Sequence, residues 1–197
     1  MKSNGFMAGK VADPGSRPAR GIIMKYLPYA GLPAAITAFL ILRAGRTDVY
    51  SMLGAGLMLV FGYIAAIHDL KTKQIPNRFL VVMLIAWAAI AVPRMFLDTE
   101  AAVEMLKEAA SGAAIGGGLF LFVYIISRRG LGGGDVKYMA CSGLYLGFTG
   151  VITVMLIGTA TAALTGLLLI ILKKIGRKDK IPLAPFLYIG VLVCCIA

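Results

Sequence analysis

In a chain that is otherwise strongly apolar, two acids stand where chemistry is possible, Asp69 and Asp135. Asp135 closes a glycine run, Gly130-Leu131-Gly132-Gly133-Gly134-Asp135-Val136-Lys137, where one apolar segment stops and another begins. Asp69 opens the stretch Asp69-Leu70-Lys71-Thr72-Lys73-Gln74-Ile75-Pro76-Asn77 between two other segments. Two carboxyl groups held close together divide their titrations, so that one is ionised while the other keeps its proton. Such a pair can hydrolyse an amide with water: the carboxylate takes a proton from the water, the acid polarises the carbonyl, and no covalent intermediate is needed. The apparent titrations belong to the pair. Helix ends add a bias, because Asp135 at a helix N-terminus is stabilised as an anion and Asp69 near a helix C-terminus is not. On that basis Asp135 starts as base and Asp69 as acid.

The neighbouring residues have readings of their own. Gly132, Gly133 and Gly134 leave backbone free to approach an extended peptide closely, as an added strand. Pro76 keeps Ile75 out of helix, and Asn77 is placed to cap the helix that follows. Lys71, Lys73 and Lys137 shape the loops or touch substrate, although charges here also set topology and meet lipid headgroups. His68 has no Cys or Glu at ligand spacing and reads as an interfacial side chain. The cysteines, Cys141, Cys194 and Cys195, are odd in number, lie in apolar stretches and form no CxxC. Neither a disulfide framework nor a zinc site follows from them, and no metal or other cofactor is expected. No GxSxG, HExxH or P-loop pattern is present.

The elements that must position these acids are membrane helices. Hydrophobic residues make up 59% of the chain, well above the roughly 45–50% of a soluble domain. Most of the length is consumed by spans needing about 20 apolar residues each. Residues 1–21 are basic and rich in Gly, Pro, Ser and Ala, which predicts a disordered cytoplasmic arm; 22–197 form the transmembrane domain. Apolar segments at 24–43, 50–68, 79–97, 110–127, 135–149, 150–172 and 182–197 predict an all-α polytopic bundle of about seven transmembrane helices. Residues 98–109 read as a short surface helix begun by Asp98 or Thr99. Glycines in the fourth and sixth segments, Gly112, Gly116, Gly117, Gly118, Gly158 and Gly166, allow close helix contact.

Charge distribution orients the bundle. Of the 20 Lys and Arg residues, 16 fall in the amino-terminal arm and in alternate gaps, and only Arg43, Arg46, Arg94 and Lys107 fall in the others. Strict alternation predicts a cytoplasmic amino terminus and puts Asp69 and Asp135 at one depth, on the cytoplasmic side. The net charge of +11 is thereby explained by topology. No continuous basic face suggests nucleic acid, and the membrane partners expected are lipids.

The two motifs, Asp69 to Asn77 and Gly132-Gly133-Gly134-Asp135-Val136-Lys137, resemble the two signatures of type IV prepilin peptidases, bacterial membrane aspartyl proteases with a GxGD motif. Ile181-Pro182-Leu183-Ala184-Pro185-Phe186-Leu187 resembles that family's C-terminal proline motif. The resemblance covers roughly residues 50–190. It implies an endopeptidase of the bacterial inner membrane that cleaves the short basic leader from prepilin-like precursors at the cytoplasmic face, with Asp69 and Asp135 as the catalytic pair. Many members also carry an N-terminal domain with two zinc-binding CxxC pairs and N-methylate the new terminus. Without such cysteines the chain is similar to the short form associated with Flp or Tad-type pili, which puts methyltransferase activity in doubt. Archaeal preflagellin peptidases and other GxGD intramembrane proteases share the logic. A reading of another class is a small transporter, but that calls for ionisable residues near the bilayer midplane rather than at its edge.

Overall fold

The computed structural model describes residues 36, 48–127, 131–173 and 182–196. Among them the regular structure is entirely helical: α1 (Val49–Thr72), α2 (Asn77–Leu97), α3 (Thr99–Ile126), α4 (Gly133–Ile171) and α5 (Ala184–Ile196). Four of these, α1 to α4, are long and apolar enough to cross a membrane, and α5 is a shorter apolar helix. The basic arm and, save for Ile36, the first expected segment at 24–43 lie outside the described residues.

With that segment outside the described residues, the expected count of about seven spans is not confirmed. The fifth and sixth segments form the single run α4, broken at Gly147, whose φ of 66° and ψ of −171° are non-helical. The break reverses the chain. Before it, α4 runs parallel to α2, with Lys137 beside Asn77 and Leu144 beside Trp87. After it, α4 runs antiparallel to α5, because Gly150 faces Cys194, Val154 faces Gly190 and Gly158 faces Leu187. Glycine is required at the turn, since this positive-φ, extended-ψ conformation is essentially closed to other residues, at a cost of about 1–3 kcal/mol. The polar groups at the break find partners. The Phe148 N–H donates to Glu108 Oε2 at 3.2 Å, and Trp87 Nε1 donates to the Leu144 carbonyl at 2.8 Å. Both bonds serve groups that a helix end leaves without an internal partner.

A second difference concerns residues 98–109. Asp98 is indeed an N-cap, its Oδ1 accepting from the Ala101 N–H at 3.0 Å. The helix it starts does not stop at the surface, however, but continues unbroken to Ile126. No proline interrupts it between Thr99 and Ile126, and its glycines, poor helix formers by themselves, are offset by the close packing they allow. Asp48, by contrast, precedes α1 without capping it. Its carboxylate is drawn instead to Arg94 at the far end of α2, at 2.7 Å.

The closest packing lies between α3 and the first half of α4. A Cβ added to Gly112 would overlap the backbone of Gly143 and Gly147, and one added to Gly116 would overlap the Met139 carbonyl. In lipid, where apolar burial gives helices little reason to associate, such backbone approach is a main source of adhesion. Gly118, expected to pack in the same way, faces open space. Gly143→Leu should thus lower the melting temperature of the detergent-solubilised protein, by an amount corresponding to about 1–3 kcal/mol or more. Gly118→Ala should leave it unchanged or raise it.

Candidate active site

Asp69 reaches the interior because of helical period. Met58, Leu59, Gly62, Ala65, Ala66 and Asp69 make up the buried face of α1, spaced three and four apart. The carboxyl is 4% exposed. Its Oδ2 accepts a hydrogen bond from the Ala184 N–H at 2.9 Å, at the start of α5. The helix closes just beyond, where Lys73 takes a left-handed conformation and its N–H donates to the Asp69 carbonyl at 2.8 Å. His68 fastens the turn that follows, its Nδ1 lying 2.8 Å from the Gln74 carbonyl. Pro76, extended at φ −72° and ψ 141°, is then the N-cap of α2.

Asp135 occupies the first turn of α4. Gly132 is the N-cap, and its backbone lies beside the Asp135 carboxyl. An acid at the third helical position suits a helix N-terminus, whose first amides have no partner within the helix. The spacing of the glycines follows from the geometry. A Cβ on Gly132 would stand 2.8 Å from Asp135 Oδ2, and one on Gly134 would stand 3.2 Å from the Ile75 carbonyl and 3.3 Å from its Cβ. One on Gly133 would meet nothing within 4 Å. The glycines needed are those on either side of position 133.

Together the two motif loops form one surface. Gly134 packs on Ile75, and Lys137 Nζ donates to Asn77 Oδ1 at 3.0 Å. Between them lies a pocket of about 350 Å³, lined by Lys73, Gln74, Ile75 and Gly132 to Asp135. Asp69 does not line it; it is buried close enough to Asp135 for the two charges to interact. A larger cavity of about 730 Å³ lies at the opposite end of the bundle, among Tyr50, Arg94, Glu104 and Glu108, with neither acid in its wall. Size does not mark the chemistry here. Asp135 and both motif loops belong to the smaller pocket.

Several sequence expectations change in detail. Asn77 is not the cap of α2; Pro76 precedes it, and the Asn77 side chain is engaged by Lys137 instead. Gly133 and Gly134 are already helical, so the glycine run offers little extended backbone to an added strand. The close approach made by Gly134 is to Ile75. Lys71 and Pro76 are exposed and do not line the pocket, whereas Lys73 does. The helix-end argument for the two acids is also levelled, since Asp69, too, meets a helix N-terminus, that of α5.

The sequence reading assigned nothing to three residues that belong to this region. Ala184 supplies the donor to Asp69. Tyr138, one turn after Asp135, is fully buried, and Tyr188, one turn after Ala184, packs edge-on against Tyr63 with ring centroids 5.9 Å apart. The hydroxyls of Tyr138 and Tyr188 are buried with no hydrogen-bond partner among the described residues. Their spacing of three and four residues from the motif positions was the available signal.

With this geometry in view, comparison with known proteins is informative. The profile described as the Type IV leader peptidase family matches residues 56–167, more than half of the chain and including both Asp69 and Asp135. The chain belongs to that family. It is similar to proteins named prepilin leader peptidase/N-methyltransferase: 26% identical over 148 residues to one from Xanthomonas campestris pathovar campestris, covering 70% of this chain and 48% of the relative. Identity is 28% over 130 residues to one from Bacillus subtilis, covering 64% and 48%. It is 29% over 160 residues to one from Burkholderia pseudomallei, covering 76% and 49%. The chain thus spans about half the length of these relatives. No solved structure matches it.

Within this family member, apposition of the two loops should depend on Gly134 and not on Gly133. Gly134→Val should raise amide hydrogen exchange across residues 73–77 and 131–136 and destabilise the protein by about 1–3 kcal/mol. Gly133→Ala should change neither.

Proposed function

We propose that this chain is a membrane aspartyl endopeptidase that removes the short basic leader from prepilin-like precursors. The observation that carries the reading is the meeting of the two motif loops around one pocket: Asp135 lines it, and Asp69, 66 residues earlier in the chain, is buried at the end of the helix that leads into its other wall. The family match and the names of the relatives support the same reaction class. The proposal extends to the peptidase alone and not to N-methylation.

In the proposed mechanism the pair shares one proton. A water between the carboxyls loses a proton to the ionised acid and attacks the scissile carbonyl, while the protonated acid donates to that carbonyl oxygen. Collapse of the tetrahedral species returns a proton to the leaving nitrogen, and the pair is restored. The Ala184 N–H holds one Asp69 oxygen fixed throughout, leaving the other to turn toward the water. Charge alternation along the chain places this end of the bundle at the cytoplasmic face of the inner membrane, where a basic leader is retained by the same rule.

Asp69→Asn and Asp135→Asn preserve size and hydrogen-bonding capacity. Each should lower cleavage of a co-expressed prepilin at least about a hundred-fold, while membrane insertion and expression stay at wild-type levels. Processing retained in either variant rejects the assignment.

A further inference from the structure

Beside the pocket, α2 and the first half of α4 form the walls of an apolar groove of about 450 Å³. Leu80, Val81 and Leu84 line one side, Ala140, Cys141 and Leu144 the other, at matching offsets from Asn77 and Lys137. Small residues on the α4 side leave room that Val81 and Leu84, 51% and 44% exposed, do not fill. Exposed apolar surface on a membrane helix is covered by lipid without further explanation, so exposure does not decide what lies here. The decisive feature is continuity with the pocket.

The groove ends at the Lys137–Asn77 hydrogen bond. Asn77 lies two residues beyond Ile75 of the pocket wall, and Lys137 lies two residues beyond Asp135. A chain passing from pocket to groove therefore moves from polar and backbone surroundings into apolar ones within the width of that one bond. The groove then extends through seven residues of each wall, about 10 Å or two helical turns. A precursor with a polar leader followed by an apolar helix has the same order of polarity.

Resting on the function proposed above, we infer that the α2–α4 groove seats the first turns of the apolar helix that follows the cleaved bond of the precursor. The leader then lies on the pocket side of the Lys137–Asn77 bridge, and the register of the helix in the groove sets which bond reaches Asp135. Lys137 and Asn77 are positioning residues at the junction.

The test is site-specific photocrosslinking in membranes with a prepilin that retains its leader and apolar helix. p-Benzoylphenylalanine is placed at Val81 and, for comparison, at Leu164, which is 69% exposed on the second half of α4; both are made in the Asp135→Asn background so that the precursor stays whole. The groove predicts a precursor adduct at Val81 at least about ten times stronger than at Leu164. In an otherwise wild-type protein, Ala140→Trp should raise KM for the same prepilin at least about tenfold, and Leu164→Trp should leave it unchanged. Equal adducts at the two sites, or adducts at Val81 with phospholipid only, overturn the groove while wild-type cleavage still stands. Failure of the wild-type protein to cleave any prepilin overturns the function itself, and the groove with it.

Discussion

The constraint on which the motif end depends is the burial of a carboxyl group. Taking a charged oxygen out of water is strongly unfavourable unless a donor replaces the lost solvent. Asp69 is 4% exposed, and the donor it finds is the Ala184 N–H, 115 residues away along the chain. A helix N-terminus has such donors to spare, because its first amides have no partner within the helix. The bond therefore fixes the start of α5 against the end of α1. The second half of α4 is held in turn by its glycine contacts with α5, Val154 on Gly190 and Gly158 on Leu187. One satisfied carboxylate thus orders three helices around the pocket.

The break at Gly147 provides the other half of the arrangement. Without a reversal there, α4 would continue as one long rod, and a single helix could not both present Asp135 at the motif end and return to pack against α5. The turn is tolerable in an apolar setting because its freed polar groups are met by side chains, Glu108 for an amide and Trp87 for a carbonyl. Glu108 lies on α3, which the glycine contacts bring close to α4. The carboxylate at the turn and the tight α3–α4 packing are thereby parts of one solution.

Within the site, steric demand explains the motif better than flexibility does. Gly132 is small because a side chain there would crowd the Asp135 carboxyl, and Gly134 because one would push Ile75 away. The glycine run is thus a device for bringing two loops together, with Asp135 in a helical first turn beside the Gly132 backbone. Lys137 and Asn77 tie the same loops from outside.

The amino-acid sequence alone determined the local and the additive properties. Apolar runs of membrane length named the helices, the order of Lys and Arg around them suggested one side for both acids, and a proline and a glycine run marked where the chain must leave helix. Such features are legible because each depends on a few neighbouring residues or on a sum over them. The tertiary structure alone decided which distant groups meet: Ala184 with Asp69, Asn77 with Lys137, Ile75 with Gly134, and Glu108 with the break at Gly147. It also decided that Asp69 meets a helix N-terminus, which reading α1 by itself did not suggest. The physical reason is that the contact made by a backbone amide or by a glycine's missing Cβ has no signature in sequence. Its role depends on what packs against it, and that is fixed only when the helices are assembled.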